Sequence, residues 1–202
     1  MKKLIIGLFV FATFAVTAGE KVGKLEVGDK AVMTNVKMKS VTGTSVSLSD
    51  VSGKNGTLVI FSCNSCPFVL RWEDRYPGLK EYAAKNGIGM IVLNSNYQNR
   101  DGADSFTAMV DHADEKGYNF DYVLDKESQI ANAFGGQTTP HVFLFDGDME
   151  LVYKGLIDDN SASAADVKKD YLNDALASLG QGKEVAIAET PPQGCSIKRK
   201  LD

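Results

Sequence analysis

The run Thr57-Leu58-Val59-Ile60-Phe61 constrains the fold of this chain more than any other feature. It lacks the polar alternation of a strand with one wet face, so it reads as a strand buried on both sides. Residues 88–94 form a second run of the same kind. Strands covered on both faces need helices above and below them. Pro67 begins a helical stretch that Tyr76-Pro77-Gly78 should break or kink. The stretch resumes over residues 79–86 and ends at Gly87. Residues 104–116 have helical spacing with an acidic start, and Asp125 caps a helix that runs to Phe134 and closes at Gly135-Gly136. A last helix covers about residues 164–179. Further strand signals are a hairpin within residues 31–48 turning at Thr42-Gly43, a short strand at 122–124, and a hairpin around Asp146-Gly147-Asp148. This order predicts an α/β fold, with a mixed sheet between two helical layers.

The chain has 202 residues, 44% of them apolar and 24% charged, which suits one domain with an ample core. Such a core needs no disulfide staples, so three cysteines require another explanation. Twenty-six acidic against 22 basic residues provide no basic face for nucleic acid. Residues 1–18, MKKLIIGLFVFATFAVTA, run from charged to apolar to small, the order of a secretory signal peptide cleaved after Ala18. The apolar run is too short for a membrane span, which takes about 20 residues. The expected organisation is a signal peptide at 1–18, a domain at 19–182 and a tail at 183–202. The mature protein is expected to be periplasmic or secreted, with no stable membrane association, where disulfides persist.

The chemistry-bearing segment is Ser62-Cys63-Asn64-Ser65-Cys66-Pro67, directly after the first buried strand. In open α/β sheets reactive groups gather at the carboxyl ends of strands. A thiol at the start of a helix is pulled toward thiolate by the helix dipole and free amides. Two intervening residues let the second thiol reach the first, which suits disulfide exchange. Cys63, expected to be the more exposed, is the candidate nucleophile, and Cys66 the candidate resolving thiol. Three other readings fit the pair: buried inert cysteines, a structural disulfide, or part of a metal site. The chain supplies only His112 and His141 as imidazole ligands.

Gly136-Gln137-Thr138-Thr139-Pro140 lies between a helix and a strand. A cis Thr139–Pro140 bond would present the backbone of Thr139 to an extended substrate; a trans proline opening a strand fits the same residues. Cys195 has three readings: resolving thiol, third metal ligand, or unrelated free thiol. His141 reads as a strand cap rather than a base. His112 and the acidic residues Asp101, Asp104, Asp111, Asp114 and Glu115 read as a solvated helix face. Trp72 reads as core or groove.

A C-x-x-C at a strand–helix junction, followed by Thr138-Thr139-Pro140 before a hairpin, resembles the thioredoxin-like superfamily. Val27-Gly28-Asp29 and Val46-Ser47-Leu48-Ser49-Asp50 resemble its redoxin branch, which includes peroxiredoxins and exported thiol–disulfide oxidoreductases. The segments 140–146 and 191–198 are similar to a peroxiredoxin-like family in that branch. The resemblance implies a thioredoxin-like three-layer α/β/α sandwich with a mixed central sheet and an N-terminal β-hairpin. It also implies catalytic Cys63 and Cys66, substrate-positioning Thr139 and Pro140, and auxiliary roles for Cys195 and His141. The implied partners are protein thiols or disulfides and a redox partner protein, with no organic cofactor and no metal. Peroxiredoxins carry P-x-x-x-T-x-x-C. Aligning Cys66 with its cysteine puts Val59 and Cys63 at the proline and threonine positions, and aligning Cys63 puts Gly56 and Ile60 there. Neither register fits, so peroxidase activity is disfavoured and stands as an alternative, beside a metal-binding copper-chaperone role using Cys63, Cys66 and either Cys195 or His141.

Overall fold

The computed structural model describes residues 23–200, and the expected signal peptide lies outside the described residues. Its strands are β1 (Met38–Ser40), β2 (Ser45–Val46), β3 (Gly56–Ser62), β4 (Ile88–Asn94), β5 (Asp121–Leu124), β6 (Thr138–Thr139), β7 (His141–Asp146), β8 (Leu151–Gly155) and β9 (Cys195–Ser196). Its helices are α1 (Leu48–Val51), α2 (Pro67–Trp72), α3 (Tyr76–Lys85), α4 (Phe106–Glu115), α5 (Gln129–Phe134) and α6 (Tyr171–Gly180). Seven strands form one sheet in the order β2-β1-β5-β4-β3-β7-β8. The pairs β3–β4 and β4–β5 are parallel, while β3–β7, β7–β8, β1–β2 and β1–β5 are antiparallel. This is the mixed sheet and N-terminal hairpin of a thioredoxin-like fold.

Every residue of β3 is buried, as its continuous apolar run requires. Leu58 and Ile60 enter one core with Leu79 of α3, Met109 of α4 and Leu176 of α6. Val59 and Phe61 enter the other with Leu48 of α1 and with Ile130 and Phe134 of α5. The Phe61 ring meets Phe134 and Phe143 edge-on, with centroids 6.0 and 5.5 Å away. Such pairs add about 0.5–1.5 kcal/mol each beyond area burial. Trp72 belongs to the first core, and its indole N–H donates to Asp158 at 3.0 Å.

Several boundaries differ from the expected ones, each for a local reason. The break after Pro67 falls at residues 73–75, a single 3-10 turn, not at Tyr76-Pro77-Gly78. Pro77 sits in the first turn of α3, where a missing N–H costs nothing. Helix α4 is capped by Ser105, whose hydroxyl accepts from Ala108 N–H at 3.2 Å, because Asp104 has turned inward. His112 is likewise not solvated, since its Nε2 bonds the buried Glu73 carboxylate at 2.8 Å. The last helix begins at Tyr171, with Asp170 as its cap. Asp125 does cap α5, accepting from Ile130 and Ala131 N–H at 3.0 Å each across a 3-10 turn at 126–128. Among the described residues, no helix is long and apolar enough to cross a membrane.

The chain leaving α1 lies directly on the start of β4. A Cβ on Gly89 would stand 1.6 Å from the Val51 carbonyl oxygen, so this approach needs glycine. Gly89→Ala is expected to lower unfolding stability by about 1–3 kcal/mol, the usual cost of overpacking. Urea denaturation checks this, and an unchanged midpoint would show that the contact yields freely.

Candidate active site

Cys63 follows the last residue of β3, and Cys66 is the N-cap of α2. Pro67 takes the first helical position, where its fixed φ favours the helix start. The strand therefore delivers one sulfur and the helix start the other. Both cysteines are free and buried, with exposures of 1% for Cys63 and 5% for Cys66. This reverses the exposure expected from their order in the chain. Cys63 is enclosed because it continues the central strand, and Cys66, at the helix start, lies in the same buried cluster.

Thr139 touches both sulfurs. Its hydroxyl lies 3.3 Å from Cys63 Sγ, and its carbonyl accepts from Cys66 Sγ at 3.2 Å. The Thr139–Pro140 peptide bond is cis. Cys195, half-buried, packs against the pair. The structure thus assembles Cys63, Cys66, Thr139 and Cys195. His141 stands apart: its Nδ1 accepts from Gln137 N–H at 3.1 Å, and its ring packs on Phe143. Burial pushes the His141 imidazole down to about 4, with Lys154 adding to the effect, so it is neutral at pH 7. It caps the start of β7. Among the described residues, no group of three or more His, Cys, Asp or Glu is arranged to hold a metal ion.

The two thiols shift in opposite directions. Cys66 is lowered to about 4, first by the hydrogen bond from Cys63, then by the Cys195 thiol, the Val69 amide and Thr139, against desolvation. The Val69 amide faces the sulfur without forming a close cap bond. The Thr139 carbonyl contact opposes this shift, since it favours a proton on Cys66. Cys63 is raised by the same shared hydrogen bond and by burial, with Asp104 adding repulsion. The directions are opposite: a proton is favoured on Cys63 and thiolate character on Cys66.

The loop between the cysteines is held by a residue that sequence reasoning put on a solvated face. Asp104 is fully buried. Its Oδ1 accepts from Asn64 N–H at 2.9 Å and Asn94 Nδ2 at 2.7 Å, and its Oδ2 accepts from Asn96 and Asn99 side chains at 3.2 Å each. Tyr122 completes the loop's support by donating to Asn64 Oδ1 at 2.7 Å. The sequence carried one usable signal, the density of asparagines at 94, 96 and 99 beside Asp104. Clustered amides next to a carboxylate can satisfy it away from water.

No curated protein matches the chain. Among solved structures, an uncharacterized conserved protein from Geobacillus kaustophilus is 31% identical, with a TM-score of 0.80 over 88% of this chain and 94% of its own. Two more distant structures share the fold. Peroxidoxin BcpB of Mycobacterium tuberculosis has a TM-score of 0.58 at 14% identity, covering 78% of this chain and 97% of its own. The thioredoxin domain of a thiol-disulfide oxidoreductase from Bacteroides vulgatus has a TM-score of 0.52 at 22% identity, covering 66% and 90%. The sequence profile of the Redoxin family matches residues 26–171. The chain therefore belongs to the redoxin family of thiol-redox proteins.

Proposed function

We propose that this protein is an exported thiol–disulfide oxidoreductase that exchanges disulfides with protein substrates through Cys63 and Cys66. The observation that carries the reading is the pair of free, buried cysteines packed in one cluster and both in contact with Thr139. Export rests on the charged, apolar and small-residue order of residues 1–18. A disulfide exchanger is useful in a compartment where disulfides persist.

In the reductive direction Cys66 thiolate attacks a substrate disulfide. One substrate sulfur joins Cys66, and the other leaves and takes up a proton. Cys63 then gives up its proton and attacks Cys66 Sγ. This releases the second substrate thiol and leaves a Cys63–Cys66 disulfide, which a redox partner protein reduces by the same steps. Run backward, the sequence oxidises a substrate dithiol. Position in the C-x-x-C segment favours Cys63 as the attacking thiol, whereas the depressed ionisation of Cys66 favours Cys66 in that role.

Cys63→Ser and Cys66→Ser are each expected to drop dithiothreitol-driven insulin reduction to the uncatalysed rate. Full activity in either variant would sink the dithiol reading, and hydrogen-peroxide turnover that needs only one cysteine would replace it with a peroxidase. Role assignment has its own test in a Cys195→Ser background. There, Cys63→Ser should accumulate a mixed disulfide with a substrate peptide, while Cys66→Ser should not. The Cys66 ionisation gives a further expectation. Its depressed value means the thiolate is retained from the ordinary thiol range near 9.0 down to about pH 4, so reduced-state stability from this group is full above the unfolded value and fades as pH falls toward 4. The ultraviolet thiolate absorbance of the wild type minus that of Cys66→Ser should show this midpoint; a midpoint near 9 would contradict it.

A further inference from the structure

We propose that residues 194–199 act as a built-in substrate strand, and that Cys195 takes the disulfide from Cys63–Cys66 to form Cys66–Cys195. The proposal rests on the dithiol reading above and names what competes with protein substrates at that site. Strand β9 pairs antiparallel with β6, placing Cys195 opposite Thr139 and Ser196 opposite Thr138. Thr139 is the residue that contacts both active sulfurs. An extended polypeptide bringing a sulfur to Cys66 would use this same backbone edge, because strand addition supplies main-chain hydrogen bonds at no cost in specificity of side chains. The tail already occupies it.

The fit is close. A Cβ on Gly194 would stand 2.3 Å from the Thr139 carbonyl oxygen, so the tail backbone lies against the residue that a substrate would meet. Cys195 packs against the cluster of Cys63, Cys66 and Val69, where a substrate sulfur would have to come. The residues beyond it are anchored one after another. Ile197 is buried in the second core, and its N–H donates to Gln137 O at 3.1 Å. Lys198 N–H donates to Asn96 Oδ1 at 2.9 Å, and the Arg199 guanidinium bonds Asn132 Oδ1 and the Gly136 carbonyl. A loosely held tail would not make these contacts.

The exchange balances within the chain. Cys195 loses its proton and attacks Cys66 Sγ of the Cys63–Cys66 disulfide. A Cys66–Cys195 bond forms, the Cys63–Cys66 bond breaks, and the electron pair goes to Cys63 Sγ. Cys63 takes up the proton that Cys195 gave up, so no oxidant or reductant is consumed.

The test uses full-length protein oxidised with one equivalent of oxidised glutathione, alkylated, digested and mapped by mass spectrometry. In Cys63→Ser, the expected product is an internal Cys66–Cys195 disulfide with glutathione released. In the wild type, both disulfides should be found. Gly194→Val, which forces the tail off Thr139, should cut the Cys66–Cys195 yield by about tenfold or more through loss of effective concentration, and still form Cys63–Cys66. Arg199→Ala, which releases the tail from Gly136 and Asn132 without altering the site, should shift the yield in the same direction. A Cys63→Ser protein that stays as a Cys66–glutathione adduct with Cys195 alkylated overturns the proposal. So does an undiminished Cys66–Cys195 yield in both tail variants. Failure of Cys195→Ser to form Cys63–Cys66 instead overturns the dithiol reading, and this proposal with it.

Discussion

The site depends on Thr139, whose hydroxyl meets one active sulfur and whose carbonyl meets the other. Everything around it positions that one residue. Helix α5 ends at the left-handed Gly135, β6 is only two residues long, and β7 starts at once at His141. Antiparallel pairing of β7 with β3 sets Phe61 opposite His141, so Thr139 arrives beside the residues that follow Phe61. Each hydrogen bond here contributes about 0.5–1.5 kcal/mol net, but leaving a buried partner unpaired costs more. The geometry is therefore maintained mainly by the penalty for losing it.

Burial and charge work against each other at the sulfurs. A thiolate in an apolar site is disfavoured unless donors compensate. Cys66 has them in two neighbouring thiols, Thr139 and the Val69 amide, whereas Cys63 has Thr139 against the repulsion of Asp104. The result is an asymmetric pair, with the proton favoured on Cys63 and thiolate character on Cys66.

Much of the architecture was legible in the sequence because it rests on local rules. The continuous run at residues 57–61, the proline-started helix at Pro67, and the glycine ends at Gly87 and Gly135 all fall where their physical signals put them. The cysteine pair and Thr139-Pro140 were legible for the same reason, being compact motifs. Tertiary facts were not. Nothing in the 104–116 pattern says that Asp104 turns inward to four donors, or that His112 meets a buried Glu73, since helical spacing describes a face and not what covers it. The exposure of Cys63 was misjudged because order along a turn says little about depth. The docking of the tail across β6 joins residues far apart in sequence, and only the fold reveals it.

Asn96 gives the Asp104 network a second meaning. Its amide nitrogen donates to Asp104, the carboxylate that holds Asn64 in the cysteine loop, while its amide oxygen accepts from Lys198 in the tail. Three segments from separate regions of the chain thus answer to one side chain. The loop and the tail take part through the main-chain amides of residues 64 and 198, so the side chains that matter here are Asn96 and Asp104. Loss of the Asn96 side chain would be felt in the loop and in the tail together, whatever residues stand at 64 and 198.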